Sequence, residues 1–358
     1  MKKENYNVFG VMSGTSLDGV DLAHIQFAIV DQKWTFKILE CETVGYSQSW
    51  VKQLKNAVDF TKEELEVLNQ NYTQLLAKII SGFIQKHKIE NLDAVCSHGH
   101  TILHQPQNGF TLQIGNLSEI ATLIHQTVVC DFRVQDVELG GQGAPLVPIG
   151  DQLLFSEYDY CINLGGFSNV SFEENNARIA FDISPVNTVL NFYANQLGLD
   201  YDNKGQISRT GNCNQNLFNE LNTLDYYQKK YPKSLGFEFV KETVFPLIES
   251  FQITIEDKLC TFIEHVALQI ALALNGNDKK GSLFITGGGA YNDFLIERIQ
   301  FYLPEMQLII PESKIIEFKE ALIFGLLGVL KLRDEINVLS SVTGAKKDHS
   351  SGIVYKLK

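Results

Sequence analysis

Val8-Phe9-Gly10-Val11-Met12-Ser13-Gly14-Thr15-Ser16-Leu17-Asp18-Gly19-Val20-Asp21 is the stretch whose reading decides the fold. Val8 to Met12 is short and apolar, as a buried strand is, and Val20 to Val30 roughly alternates, so a second strand follows. Gly14 to Gly19 between them is too small and polar to be anything but a turn. Trp34 to Val44, after the polar Asp31-Gln32, reads as a third strand. The same unit recurs in the second half. Tyr160–Leu164 is a strand, Gly165-Gly166 a turn and Phe167–Phe172 a strand; Glu174-Asn175-Asn176 is a turn and Ala177–Ile183 a third strand. The repeat is one of architecture, not of residue identity. Two such units predict two similar α/β domains facing one another, with both glycine turns pointing into one cleft.

Outward from these units, Thr61 and Glu64 make a capping box. Leu65, Leu68, Tyr72, Leu75, Ile79 and Phe83 then recur at helical spacing. Leu92–Ser97 and Thr127–Asp131 read as strands, Ile255–Leu274 as an amphipathic helix, and Ser282–Thr286 as a buried strand running into Gly287-Gly288-Gly289. A helix follows from about Asn292, and the last long helix is expected over about Phe318 to Asp334. The glycine- and proline-rich Gly140–Asp151 stretch suits a crossing between domains. The expected division is 1–140 plus about 335–358 for the N-terminal domain and about 141–334 for the C-terminal one.

The chain has 358 residues, 44% apolar and 20% charged, which suits a globular protein of two domains. Its formal net charge of -12 argues against nucleic acid or an anionic membrane as partner. An acidic protein still binds phosphate through backbone N–H groups and a bound cation. The six cysteines include no C-x-x-C pair, so neither a zinc ribbon nor a thioredoxin-type site is indicated, and a reducing compartment is expected. No apolar segment follows Lys2 and Lys3, so no signal peptide is read. The apolar run Ala321 to Leu330 is half the roughly 20 residues of a membrane helix.

Three glycine turns carry candidate chemistry. In the first, Gly14 and Gly19 allow close approach of phosphate, Thr15 and Ser16 add hydroxyl donors, and Asp18 suits a magnesium ion, directly or through water. The second, Asn163-Leu164-Gly165-Gly166-Phe167-Ser168-Asn169, occupies the matching position, where the two turns together would clamp a triphosphate. The third, Thr286-Gly287-Gly288-Gly289-Ala290-Tyr291-Asn292, would let a base and ribose lie against backbone at a helix N-terminus. Each also suits a plain tight turn. None is a Walker A loop or a Rossmann fingerprint. Asp182, at the expected end of a strand, suits a general base. Arg133, after a strand, suits a bidentate grip on a carboxylate. Glu320 would fall in the first turn of the last helix, where an acid complements the helix dipole. His98, His100 and His104 lack the further ligands of a zinc site.

These residues resemble the anhydro-N-acetylmuramic acid kinase family. The similar runs are Gly10 to Gly19, Ser97-His98-Gly99-His100-Thr101, Thr111 to Gly115, Asp131-Phe132-Arg133 and Gly140-Gly141-Gln142-Gly143-Ala144-Pro145-Leu146-Val147-Pro148. In the second half they are Asn163 to Asn169, Phe181-Asp182, Pro232-Lys233-Ser234, Gly287 to Asn292, Glu320-Ala321 and Thr343-Gly344-Ala345. All are collinear and cover roughly residues 8 to 345. The resemblance implies two actin-like (ribonuclease H-like) α/β domains with a nucleotide and substrate cleft between them. It implies ATP and magnesium as cofactors, and 1,6-anhydro-N-acetylmuramic acid as the partner. It gives no nucleic acid and no membrane, and leaves room for a homodimer. Water would open the internal ring and the freed 6-oxygen would take the γ-phosphoryl group, in cytoplasmic peptidoglycan recycling.

Carried over by position, the resemblance makes Asp182 catalytic. Gly14, Thr15, Ser16, Leu17, Asp18, Gly19, Val20, Asp21, Gly165, Gly166, Gly287, Gly288, Gly289 and Asn292 would face the nucleotide, with Asp18 on the metal. Arg133, Glu320, His98 and Thr101 would face the sugar. The chain departs from the family pattern at Ser184 and Val186, where the run after the catalytic Asp usually has glycines. It also departs at Lys204, usually Asp, and at His100, usually Gln. An alternative reading is a nucleotide-binding regulator or divergent sugar kinase on the same fold with a repurposed sugar site. Whether Asp182, Arg133 and Glu320 converge on one pocket separates the two.

Overall fold

The computed structural model describes residues 2–14, 16–274 and 280–357. Contacts divide the chain into two compact units, Met1–Phe155 with Phe318–Lys358, and Ser156–Glu317.

The first unit is built on β1 (Asn5–Ser13), β2 (Gly19–Val30) and β3 (Lys33–Gly45), joined by the two polar turns and paired antiparallel. β4 (Ala94–Gln105) lies parallel to β1 on its other side, β6 (Val128–Cys130) lies parallel to β4, and β12 (Ile353–Tyr355) closes the edge. β5 (Phe110–Ile114) pairs with the far end of β4. The helix Lys62–Lys86 starts at the Thr61–Glu64 capping box and buries Leu68, Tyr72, Leu76, Ile80 and Phe83 against Phe9, Val11, Val20 and Leu22 of the sheet.

The second unit repeats the arrangement. β7 (Tyr160–Leu164), β8 (Phe167–Glu174) and β9 (Ala177–Pro185) form the antiparallel meander; β10 (Gly281–Thr286) and β11 (Met306–Ile309) extend it in parallel from β7. The helix Ile255–Ala273 fills its core through Leu259, Phe262, Val266 and Ile270. Both sheets thus run third, second, first, fourth and onward, with the second strand antiparallel to its neighbours. That order, used twice, is the duplicated ribonuclease H-like, actin-like fold that the family resemblance implies.

Several boundaries differ from the sequence reading. Gly150 lies against Ile323, and Asp151 pairs with Lys319 at 2.8 Å, so residues 141–155 and the apolar helix belong to the first unit. The unit boundaries therefore stand at 155 and 318, where the sequence suggested 140 and about 335. The last helix spans Ser313–Leu332, starting five residues before the expected Phe318, because Ile315 and Ile316 continue its apolar face beyond the mixed Glu317–Glu320 stretch. Residues 321–330 are buried on every side, so the run is core. Among the described residues no helix is long and apolar enough to cross a membrane. β4 continues through His98 and His100 to Gln105, helped round by Gly99 at φ 73. β5, β11 and β12 are short strands that the sequence pattern does not reveal.

Candidate active site

Ser13 ends β1, and Leu17, at φ 61, turns the chain toward β2. Among the turn residues, Gly14 has room beside it: an added Cβ would stand in ordinary contact with Ser16, at 3.5 Å from its Oγ. Ser16 Oγ donates to Asp18 Oδ1 at 2.6 Å, and Asp18 is exposed. Thr15 lies outside the described residues. The remaining members of this run have structural partners. Gly19 is a glycine because its Cα lies against the Val44 carbonyl. The Val20 side chain is fully buried in the core. Asp21 Oδ1 accepts from Thr43 Oγ1 at 2.5 Å.

Beneath the turn runs a buried polar chain that sequence reading missed. Ser13 Oγ lies 2.8 Å from His100 Nδ1 and 2.6 Å from the Tyr46 hydroxyl, which is 2.6 Å from the Tyr72 hydroxyl. Burial pushes His100 down to about 4, so its imidazole is neutral. Nothing in the local sequence brings residues 13, 46, 72 and 100 together.

Arg133 is the cation of the first unit's site. It directly precedes the short helix Val134–Glu138 and is half-buried. Its Nε donates to His98 Nε2 at 2.8 Å, and its Nη1 donates to the Gly143 carbonyl at 2.6 Å. Two protein acceptors thus orient the guanidinium, and among the described residues none takes Nη2. Burial pushes Arg133 down to about 10, opposed by the charges of Glu320 and Asp136, so it stays positive at neutral pH. His98 is buried with both ring nitrogens engaged, Nδ1 on the Gly99 carbonyl at 2.9 Å, so it orients Arg133 and offers no free nitrogen. Thr101 Oγ1 accepts from Gln113 Nε2 at 3.3 Å.

Glu320 lies in the third turn of its helix, not the first, so the helix-dipole account of it does not apply. Solvent reaches it, yet surrounding protein desolvates it and pushes its carboxyl up; Arg133 pulls it down and Asp21 pushes it up. Among the described residues no donor bonds its carboxylate. The structure therefore brings Asp21, Arg133 and Glu320 into one electrostatic group.

In the second unit Asp182 is not at a strand end, because β9 runs on to Pro185. It sits beside a bulge: Ser184 pairs with Ser168 and Asp182 with Asn169, leaving Ile183 unpaired. The segment after Pro232 wraps it. Asp182 Oδ2 accepts from the Leu235 N–H at 2.8 Å, and the Asp182 carbonyl accepts from the Tyr226 hydroxyl at 2.6 Å. Burial pushes its carboxyl up and the Leu235 bond pulls it down. Among the described residues no cation pairs with it and no donor takes Oδ1, which suits a base.

The Gly165–Gly166 turn receives the N-terminus of the helix Asn187–Gln196. The Val186 N–H bonds the Gly166 carbonyl at 2.8 Å and the Asn187 N–H bonds the Gly165 carbonyl at 3.2 Å. Gly287, at φ 81, and Gly289 abut Asn163 and Leu164 closely enough to exclude a Cβ. Packing against β7 therefore accounts for both glycines, and Gly288 is the more open of the three. Asn292 caps the helix Asp293–Tyr302, its side chain accepting from the Leu295 N–H at 3.0 Å. Lys204 ion-pairs with Asp293 at 3.5 Å.

Two ribonuclease H-like units, each with a glycine turn after its first strand, define a protein of the actin-like fold. Residues 6–357 match the family model described as anhydro-N-acetylmuramic acid kinase. The protein of that name from Shewanella denitrificans is 32% identical, with 100% of each chain covered. Its namesake from Pasteurella multocida is also 32% identical, over 99% of this chain and 98% of that one. Among solved structures, a ROK family glucokinase from Streptomyces griseus in complex with glucose and AMPPNP covers 90% of this chain and 99% of its own, at 11% identity and TM-score 0.41. The chain belongs to the anhydro-N-acetylmuramic acid kinase family.

Proposed function

We propose that the protein is an ATP-dependent kinase that hydrolytically opens 1,6-anhydro-N-acetylmuramic acid and phosphorylates its 6-oxygen. The product would be N-acetylmuramic acid 6-phosphate, made in the cytoplasm during peptidoglycan recycling. The observation that carries the reading is the unbroken family match from residue 6 to residue 357.

The residues suit the chemistry. Asp182, half-buried with one oxygen unbonded, would take a proton from water as that water attacks the anomeric carbon. The bond from the anomeric carbon to the 6-oxygen breaks, and the electron pair stays on the 6-oxygen. That oxygen attacks the γ-phosphorus, ADP leaves, and Asp182 returns its proton to solvent. Arg133 and Glu320 would hold the sugar, the cation on its carboxylate and the anion on a hydroxyl.

The Gly14–Asp18 turn would meet the phosphates with backbone and Ser16 donors. A magnesium ion on those phosphates would draw charge from the transferring group. Such an ion needs only one or two protein carboxylates. Asp18, exposed and with no bond to its second oxygen among the described residues, fits that need, directly or through water.

The test is mass spectrometry of the product made from ATP, magnesium and 1,6-anhydro-N-acetylmuramic acid in heavy-oxygen water. The label is expected on the anomeric carbon and absent from phosphate. Label in phosphate would mean simple ATP hydrolysis and would sink the reading.

A further inference from the structure

Asp136 lies one helical turn after Arg133 and is completely buried, yet none of the roles above uses it. Its two carboxylate oxygens are divided. Oδ2 accepts from the Gly143 N–H at 2.6 Å, and Oδ1 accepts from Thr343 Oγ1 at 2.7 Å, with His349 Nε2 3.6 Å away. The carboxylate lies so close to Gly141 that a Cβ there would collide with it. Gly143, at φ 68, then presents its carbonyl to Arg133 Nη1 at 2.6 Å. A closed circuit results. The helix Val134–Glu138 sets Arg133 and Asp136 at fixed separation, the 141–143 loop ties their side chains together, and the C-terminal segment locks Asp136 from behind. The Gln142 N–H bonds the Thr343 carbonyl at 2.8 Å, and the Lys346 N–H bonds the Leu139 carbonyl at 3.1 Å, so this segment is fastened to the loop twice more.

We propose that Asp136, locked by Thr343, is a positioning residue for Arg133 and thereby sets the preference for sugars that carry a carboxylate. The proposal rests on the reading of Arg133 as the grip on the sugar's acidic side chain. A guanidinium recognises a planar carboxylate only when its fork is held in register, and small displacements of such a group cost heavily. Burying an acid to hold one glycine loop is expensive unless its bonds are made. Here both oxygens are engaged, and the negative charge supports the guanidinium beside it.

The experiment compares the full chain with Thr343→Val, Thr343→Ser and Asp136→Asn. Each is assayed on 1,6-anhydro-N-acetylmuramic acid and on 1,6-anhydro-N-acetylglucosamine, which lacks the carboxylate. Thr343→Val should lower the kcat/KM ratio between the two sugars by about tenfold, through KM for the acidic sugar, with KM for ATP unchanged. Thr343→Ser should restore the ratio, and Asp136→Asn should lower it further. A merely structural role would lower kcat/KM on both sugars equally, and that result, or an unchanged ratio, overturns the proposal. If the wild type phosphorylates neither sugar, the activity reading fails separately. Calorimetry with N-acetylmuramic acid and N-acetylglucosamine then reads the same circuit: a preference for the acidic sugar lost in Thr343→Val upholds it, and no preference overturns it. If Asp136→Asn does not fold, the two Thr343 variants decide.

Discussion

Arg133 donates its Nε–H to Nε2 of His98 across 2.8 Å, and that one bond fixes the tautomer of a buried imidazole. Nε2 must be the bare acceptor, so Nδ1 carries the hydrogen and donates it to the Gly99 carbonyl. Burial holds His98 well below its ordinary value, and the Arg133 charge adds to the effect.

Acid stability follows from the same physics. Burial also pushes His100 down to about 4 and His265 down to about 3. In the unfolded chain each histidine takes up a proton near about pH 6.5 while the folded chain does not, so this stability is present above that pH and lost below it. Each site adds a slope of up to about 1.4 kcal/mol per pH unit. Urea midpoints should therefore fall between about pH 6.5 and 4. His265→Gln, which keeps a donor for Asn222, should flatten the fall. An equal slope in that variant would mean that His265 is charged in the native protein.

Asp182→Asn keeps the shape and removes the base. Turnover should drop by about a hundred- to ten-thousand-fold while ATP binding stays near normal. Since burial raises this carboxyl, wild-type activity should be lost, as pH falls, at a pH above the ordinary carboxylate value of about 3.9. Near-normal activity in Asp182→Asn would move the base elsewhere, with Glu320 next in line.

Asp18→Ala should weaken ATP binding by about tenfold in the presence of magnesium and have little effect without it. Isothermal calorimetry with and without the metal reads this directly. Equal affinities for wild type and variant under both conditions would remove Asp18 from the metal.

Gly10 touches the carbonyl oxygen of Ala321 across the contact between β1 and the helix Ser313–Leu332. Gly10→Ala should cost about 1–3 kcal/mol and lower the melting temperature by several degrees. Because Ala321 follows Glu320, KM for the sugar should rise more than KM for ATP. Gly82 stands in the helix Lys62–Lys86 with nothing near a new Cβ, so Gly82→Ala should leave the melting temperature unchanged or raise it. Similar melting of both variants would mean that the β1–helix contact yields.

The sequence by itself determined the two meanders, their glycine turns and the capped helix after Thr61. Alternation, turn chemistry and capping all act within a few residues. The family resemblance of its motifs likewise singled out Arg133, Asp182 and Glu320. Only the tertiary structure decided what those residues are attached to. Asp182 is set by a bulge and by bonds from Tyr226 and Leu235, and Glu320 by a helix that starts at Ser313, ahead of the apolar run that opens at Ala321. The Arg133 fork depends on Asp136, which is locked by a threonine 207 residues away in sequence. Such contacts leave no local pattern, because parallel strand pairing and long-range hydrogen bonds are selected by how apolar faces bury together, not by neighbouring residues.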